Sequence, residues 1–201
     1  MKLFEGFVLA GGKSSRMGAD KAFLEFGGET FIERAVKTLA NLSTVKIVLN
    51  KSQTHFIEKL PFGIEYIFDV FEDRGALGGI HAGLKNCENE FALILAIDLP
   101  FVTSETIETL INIALDSNEF SAIVPRQNDK KLQPLCAVYR TAICLPVAEK
   151  LLKKNISISV RDFLRFVPTR IVENDELQTH EDLFFNVNRF SDFRHITTSE
   201  R

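Results

Sequence analysis

The sequence predicts an α/β protein built on a mostly parallel sheet with an antiparallel addition. Short apolar runs recur along the chain, and stretches with apolar residues at helical spacing separate them. After about residue 125 the rhythm changes, because one short apolar run closely follows another, as an antiparallel pair requires.

The first run, 4–9, ends in glycines, and residues 30–42 then place Phe31, Ile32, Ala35, Val36 and Leu39 on one helical face. Runs at 45–49 and 64–68 follow, and a glycine-rich loop at 75–80 leads into a helix at 80–86. Residues 91–97 are uninterrupted apolar sequence, the pattern of a strand buried on both faces. Beyond Pro100, Thr103 or Ser104 is the N-cap of a helix over 103–115 that carries Ile107, Leu110, Ile111 and Ala114. The run 121–124 continues the parallel set, 133–139 is the antiparallel addition, and 141–154 is an amphipathic helix. A helical stretch at 159–166 and an apolar run at 167–172 complete the pattern. No repeat, linker or low-complexity run interrupts it, so residues 1–201 are expected to form a single domain.

Composition narrows the function classes. The 201 residues are 45% hydrophobic and 25% charged, with a formal net charge of −3, which suits a soluble globular protein. A sequence-independent nucleic-acid coat and a polybasic membrane anchor both need clustered positive charge, so neither nucleic acid nor membrane is an expected partner. The three cysteines form no C-x-x-C pair, and the apolar run near the start is too short for a signal segment or a membrane span. A reducing, cytoplasmic address is the expectation.

Directly after the first run comes Leu9-Ala10-Gly11-Gly12-Lys13-Ser14-Ser15-Arg16-Met17-Gly18-Ala19-Asp20-Lys21. Glycines allow main-chain N–H groups to approach an anion, and Lys13, Arg16 and Lys21 supply cations, so a phosphate-bearing ligand at the carboxyl end of a strand is the natural reading. Two common phosphate loops fail on spacing. A Walker A loop needs a glycine five positions before Gly12, where Phe7 stands, and the dinucleotide fingerprint fails at Lys13 from Gly11 and at Ser14 from Gly12.

The run 91–97 ends in Asp98-Leu99-Pro100, which exposes a carboxylate at the same sheet edge. One carboxylate is enough to hold Mg2+ on a nucleoside triphosphate, because that ion keeps its waters and takes other ligands from phosphate. Asn50 and Asp69 close the second and third runs, respectively, at that edge, and Gly78 and Gly79 permit close backbone approach to a base or ribose. The four histidines, His55, His81, His180 and His195, show no metal-ligand spacing and are assigned surface or structural roles. No G-x-S-x-G elbow is present, so acyl transfer has no support.

The first loop resembles the signature L-A-G-G-x-S-x-R-M-G-x-D-K of the molybdenum cofactor guanylyltransferases, with every fixed letter present from Leu9 to Lys21. That family's G-P-L-x-G-I is matched by Gly75 to Ile80 except that Ala76 replaces proline. Its D-x-P is matched by Asp98 and Pro100, and its Q-P-L-x-A-x-Y by Gln133 to Tyr139. The resemblance implies a Rossmann-like three-layer nucleotidyltransferase fold. It implies transfer of GMP from GTP to the phosphate of molybdopterin-bound molybdenum cofactor, with Mg2+ and release of pyrophosphate.

Carried over by position, Leu9, Ala10, Gly11 and Gly12 contact GTP, Lys21 its phosphates, Asn50 and Asp69 line the pocket, and Asp98 binds Mg2+. Lys21, Arg16 and Asp98 are the candidate catalytic groups. Transient contacts with cofactor-biosynthesis and acceptor proteins follow as a family expectation. The chain departs from the family near its end, where N-x-N-T-P-E-D becomes Asn186-Val187-Asn188-Arg189-Phe190-Ser191-Asp192; Asn188 is there either a pterin-holding group or a helix cap.

The chemistry is coherent without a catalytic histidine, because a phosphomonoester nucleophile is already ionised near neutral pH and needs no general base. Other readings stay open: a cytidylyltransferase of the same cofactor, a sugar-phosphate guanylyltransferase, or a nucleotide-binding protein without turnover. Gly11 favours guanine, since cytidylyl relatives resemble L-A-A-G and the extra methyl reduces room for a purine.

Overall fold

A computed structural model describes residues 3–11, 20–71, 73–154, 158–177 and 183–198. Gly12 and Arg16, two of the expected site residues, and His180 lie outside the described residues.

The strands are β1 (Phe4–Leu9), β2 (Glu25–Phe26), β3 (Glu29–Thr30), β4 (Thr44–Leu49), β5 (Glu65–Phe68), β6 (Phe91–Ala96), β7 (Ala122–Pro125), β8 (Cys136–Arg140) and β9 (Thr169–Val172). Apart from the small β2–β3 hairpin, they form a 7-stranded sheet in the order β5-β4-β1-β6-β8-β7-β9. Every neighbouring pair is parallel except the two that involve β8, which is therefore the antiparallel addition expected at 133–139.

Both faces of β1 and β6 are buried, which explains why the two strands are apolar apart from Glu5. Phe91, Leu93 and Leu95 face one core with Phe4 and Val8, while Ala92, Ile94 and Ala96 face the other with Phe7 and Leu9. The first core is covered by α1 (Phe31–Ala40), α3 (Ser104–Asp116) and α6 (Phe190–Thr198). The second is covered by α2 (Gly75–Asn86), α4 (Thr141–Leu152) and α5 (Val160–Leu164). The result is the three-layer α/β sandwich expected from the sequence. Each large side chain buried in these layers contributes about 1.5–3 kcal/mol.

Helix starts follow their caps. Thr30 and Glu33 form a capping box on α1, and Thr103 accepts from the Thr106 N–H at the start of α3. Two expectations need correction. The glycine-rich segment 75–80 is the first turns of α2 and not a loop, because its small residues allow the helix to pack closely on Asp69 and Leu9. The helical stretch at 159–166 is shorter, Val160–Leu164, with Ser159 and Asp162 closing its first turn.

The cysteines are free thiols, and burial pushes Cys136 and Cys144 up to about 12, so neither is a nucleophile near neutral pH. Among the described residues no helix is long and apolar enough to cross a membrane.

Candidate active site

The chain leaves β1 toward β4 and leaves β6 toward β8 and β7, so the crevice between the carboxyl ends of β1 and β6 is the topological switch point of the sheet. A cleft of about 1000 Å³ opens there. Of the described expected residues, Leu9, Ala10, Gly11, Lys21, Asn50, Asp69, Gly79 and Asp98 line it. Gly78 does not; it sits behind the wall, where an added Cβ would lie 2.4 Å from Asp69 Oδ2.

Lys21 opens a short 3-10 turn, Lys21–Phe23, and Asp98 follows the end of β6. Lys21 Nζ stands 3.5 Å from Asp98 Oδ2, with side chains only 12% and 20% exposed. Burial lowers the Lys21 pKa from its usual value, and the Asp98 carboxylate opposes that shift. Asp98 Oδ1 is buried and accepts no hydrogen bond among the described residues. A buried carboxylate oxygen left unsatisfied beside an open cleft is suited to a divalent cation, so the donor present fits such a metal. Among the described residues no group of three or more His, Cys, Asp and Glu side chains converges.

Asp69 ends β5. Its N–H donates to Leu49 O at 2.8 Å and its Oδ1 accepts from the Phe71 N–H at 2.8 Å, which fixes the carboxylate against the first turns of α2. Asn50 caps the 3-10 helix Lys51–Lys59, where its Oδ1 accepts from the Ser52 N–H and Oγ at 3.1 and 3.2 Å. Asn50 also lines the cleft.

The divergent segment near the chain end also reaches the site. The Val187 N–H donates to the Asp98 carbonyl at 3.0 Å, and Asn188 lines the cleft. Asp192 Oδ2 accepts from the Asn188 and Arg189 N–H groups, each at 2.8 Å, just before the start of α6.

Several cleft residues escaped the sequence reading. Gln53 is buried, donating from Nε2 to the Ala10 carbonyl at 3.1 Å and accepting at Oε1 from the Asn50 N–H at 2.8 Å. His55, assigned a surface or structural role, is exposed and also lines the cleft, with Nε2 3.3 Å from Asp20 Oδ2. Asp73 lines it too, with a positive φ of 58°. Asn50 followed three residues later by glutamine has the form of a capping box, and that spacing was the available signal for Gln53.

An open α/β sheet with a glycine-bearing strand end, a half-buried lysine–aspartate pair and a large cleft at its switch point suits a nucleotidyltransferase, and the chain is an enzyme of that class. The model of the MobA-like NTP transferase domain matches residues 6–173. The chain belongs to that family.

A probable molybdenum cofactor guanylyltransferase of Clostridium perfringens (strain 13 / Type A) is 31% identical over 195 residues, covering 94% of this chain and 93% of that protein. Among solved structures, the molybdopterin-guanine dinucleotide biosynthesis protein A of Archaeoglobus fulgidus superposes with a TM-score of 0.83 at 23% identity, covering 98% of this chain and 100% of that one. The Mycobacterium tuberculosis protein Rv0371C, solved as a complex with manganese, superposes with a TM-score of 0.71 at 16% identity, each chain covered to 98%. Both structures share the fold.

Proposed function

We propose that this enzyme transfers GMP from GTP to the phosphate of molybdopterin-bound molybdenum cofactor, releasing pyrophosphate and forming the guanine dinucleotide cofactor. The observation that carries the reading is the Lys21–Asp98 pair with its unsatisfied Asp98 Oδ1, set in a cleft that Ala10 and Gly11 also line and that is large enough for a nucleotide and an acceptor. The full signature from Leu9 to Lys21 and the guanylyltransferase names of relatives that match almost the whole chain support the substrate assignment.

The acceptor's phosphate oxygen attacks the α-phosphorus of GTP. The bond from that phosphorus to the bridging oxygen breaks, and pyrophosphate leaves with the electron pair. Both reacting oxygens are anionic, so the protein's task is alignment and neutralisation of charge. Lys21 presents its ammonium to the phosphates, and Arg16 is assigned the same role from the signature. Main-chain N–H groups at Gly11 and at the start of α2 complete the cradle, and Gly12 is assigned the same role from the signature. Leu9, Ala10, Asn50, Asp69 and Gly79 shape the nucleotide pocket, with Gly78 supporting Asp69. Asp98 would hold Mg2+, which when bound neutralises phosphate charge as a Lewis acid.

The chain acts as a single domain in the cytoplasm, with GTP and the molybdenum cofactor as its substrates and passing contacts with proteins that deliver or collect the cofactor. Nucleotide selectivity tests the assignment. Thermal midpoints are followed with GTP, CTP and ATP, with and without Mg2+, since a ligand of the native state raises the midpoint according to its concentration over Kd. A shift for GTP alone, larger with Mg2+ and reduced in Asp98→Ala, is the expected result. A preference for CTP would instead assign the cytidylyl reaction.

A further inference from the structure

We propose that Gln53 is a positioning residue that sets nucleotide selectivity by fixing the Ala10–Gly11 peptide; the inference rests on the nucleotidyltransferase reading above.

Gln53 lies at a break in the 3-10 helix Lys51–Lys59, where its backbone leaves helical geometry (φ −102°, ψ 24°). Its carboxamide is 7% exposed by residue and ties together two chain segments 43 residues apart. Nε2 donates to Ala10 O at 3.1 Å, and Oε1 accepts from the Asn50 N–H at 2.8 Å. The Ala10 N–H is also committed, donating to Val48 O at 3.1 Å. Both main-chain polar groups of Ala10 therefore have partners inside the protein.

A trans peptide points its N–H opposite its C=O. Anchoring the Ala10 carbonyl on Gln53 thus fixes the direction in which the next N–H, that of Gly11, is offered. Gly11 also rests on the same hydrogen bond: a Cβ there would lie 3.7 Å from Asn50 N and 3.8 Å from Gln53 Oε1. The family resemblance makes position 11 the place where guanine and cytosine readers differ, and Asn50 is the neighbouring polar group in the pocket. One buried carboxamide consequently orients both. The same helix holds the far end of the signature, because His55 pairs with Asp20 at 3.3 Å and Phe56 packs edge-on against Phe23 at 4.9 Å.

Two variants separate this role from plain stability. Gln53→Met keeps the volume and removes both hydrogen bonds. Gln53→Glu keeps an acceptor for the Asn50 N–H but sets a carboxylate oxygen against the Ala10 carbonyl. Affinities for GTP and CTP are measured by calorimetric titration of the full chain with Mg2+, beside the melting midpoint without nucleotide and the kinetics of GMP transfer.

The expected result is a loss of about tenfold in GTP affinity in both variants, a narrower preference for GTP over CTP, and kcat at saturating GTP within about twofold of wild type. Folded variants with wild-type affinity, or an equal loss for both nucleotides that leaves the ratio unchanged, would overturn the positioning role alone. Wild-type protein that binds neither nucleotide would overturn it together with the nucleotidyltransferase reading.

Discussion

Lys21 Nζ lies 3.5 Å from Asp98 Oδ2, while Asp98 Oδ1, on the same carboxylate, is buried without a hydrogen-bond partner among the described residues. One oxygen holds the lysine as a cation and the other is left for a ligand. The two residues come from opposite sides of the switch point, from the segment after β1 and the end of β6, so the pair forms only when the sheet is complete.

Removing either member costs on the order of 10²–10³ in the rate of GMP transfer, because each neutralises charge that develops on the phosphates. Steady-state assays on folded Lys21→Ala and Asp98→Ala measure this, and near-wild-type turnover in one of them removes that residue from the mechanism. Asp98→Asn makes a finer point. Burial lowers the Lys21 pKa and Asp98 raises it, so loss of the carboxylate lowers it further. The alkaline limb of GTP binding moves to lower pH in that variant, as binding titrations across pH would record.

Two glycine-to-alanine changes, one at the cleft and one behind its wall, have different consequences. An alanine at position 78 puts its Cβ 2.4 Å from Asp69 Oδ2, and this carboxylate is held by the Phe71 N–H and cannot retreat freely. Gly78→Ala destabilises the fold by about 1–3 kcal/mol and weakens GTP binding. At position 11 the nearest atom would be at 3.7 Å, an ordinary contact, so Gly11→Ala leaves stability unchanged and narrows the preference for GTP over CTP. Urea melts combined with nucleotide titrations distinguish the two behaviours.

His81 supplies a pH dependence of stability. Its ring is buried between α2 and α4, edge-on to Phe71 at 4.8 Å, with Nε2 3.5 Å from Glu149 Oε1. Burial lowers its pKa below the usual 6.5, and Glu149 only partly opposes the shift. Below pH 6.5 the unfolded chain therefore binds a proton that the native state refuses. Stability from this group is full above 6.5 and is lost as pH falls from there through the lowered native pKa. Denaturant midpoints of His81→Phe fall less than those of wild type between neutral and mildly acidic pH; parallel curves would show that His81 contributes nothing.

At the opposite end of the sheet Glu5 is 3% exposed, accepts from the Glu88 N–H at 2.8 Å and pairs with Lys46 Nζ at 2.9 Å. Lys46→Met strands this carboxylate and costs about 3–5 kcal/mol, whereas the double change with Glu5→Gln recovers much of the loss. Equilibrium unfolding of the single and double variants checks the asymmetry.

Legibility in the sequence followed the range of the interaction. The strands β1 and β6 were readable because both faces of each are buried, and the caps Thr30 and Thr103 because a cap acts within one turn. Lys21 and Asp98 stood out through motif and position at strand ends. Gln53 and His55 did not, since each acts on a residue brought near only by the β1–β4 pairing, and the helix that carries them has no strong apolar period. The helical start at Gly75–Gly79 was hidden by glycine's poor helix propensity, which is outweighed there by close packing on Asp69 and Leu9.

The most direct measurement is transfer of label from GTP carrying radioactive α-phosphate, with purified protein, Mg2+ and molybdenum cofactor. The label is expected to appear on the cofactor in step with pyrophosphate release, with CTP a poor donor and the transfer suppressed in Lys21→Ala and Asp98→Ala. Protein that binds GTP yet leaves the label on the nucleotide, or that transfers CMP as readily as GMP, would contradict the proposed function.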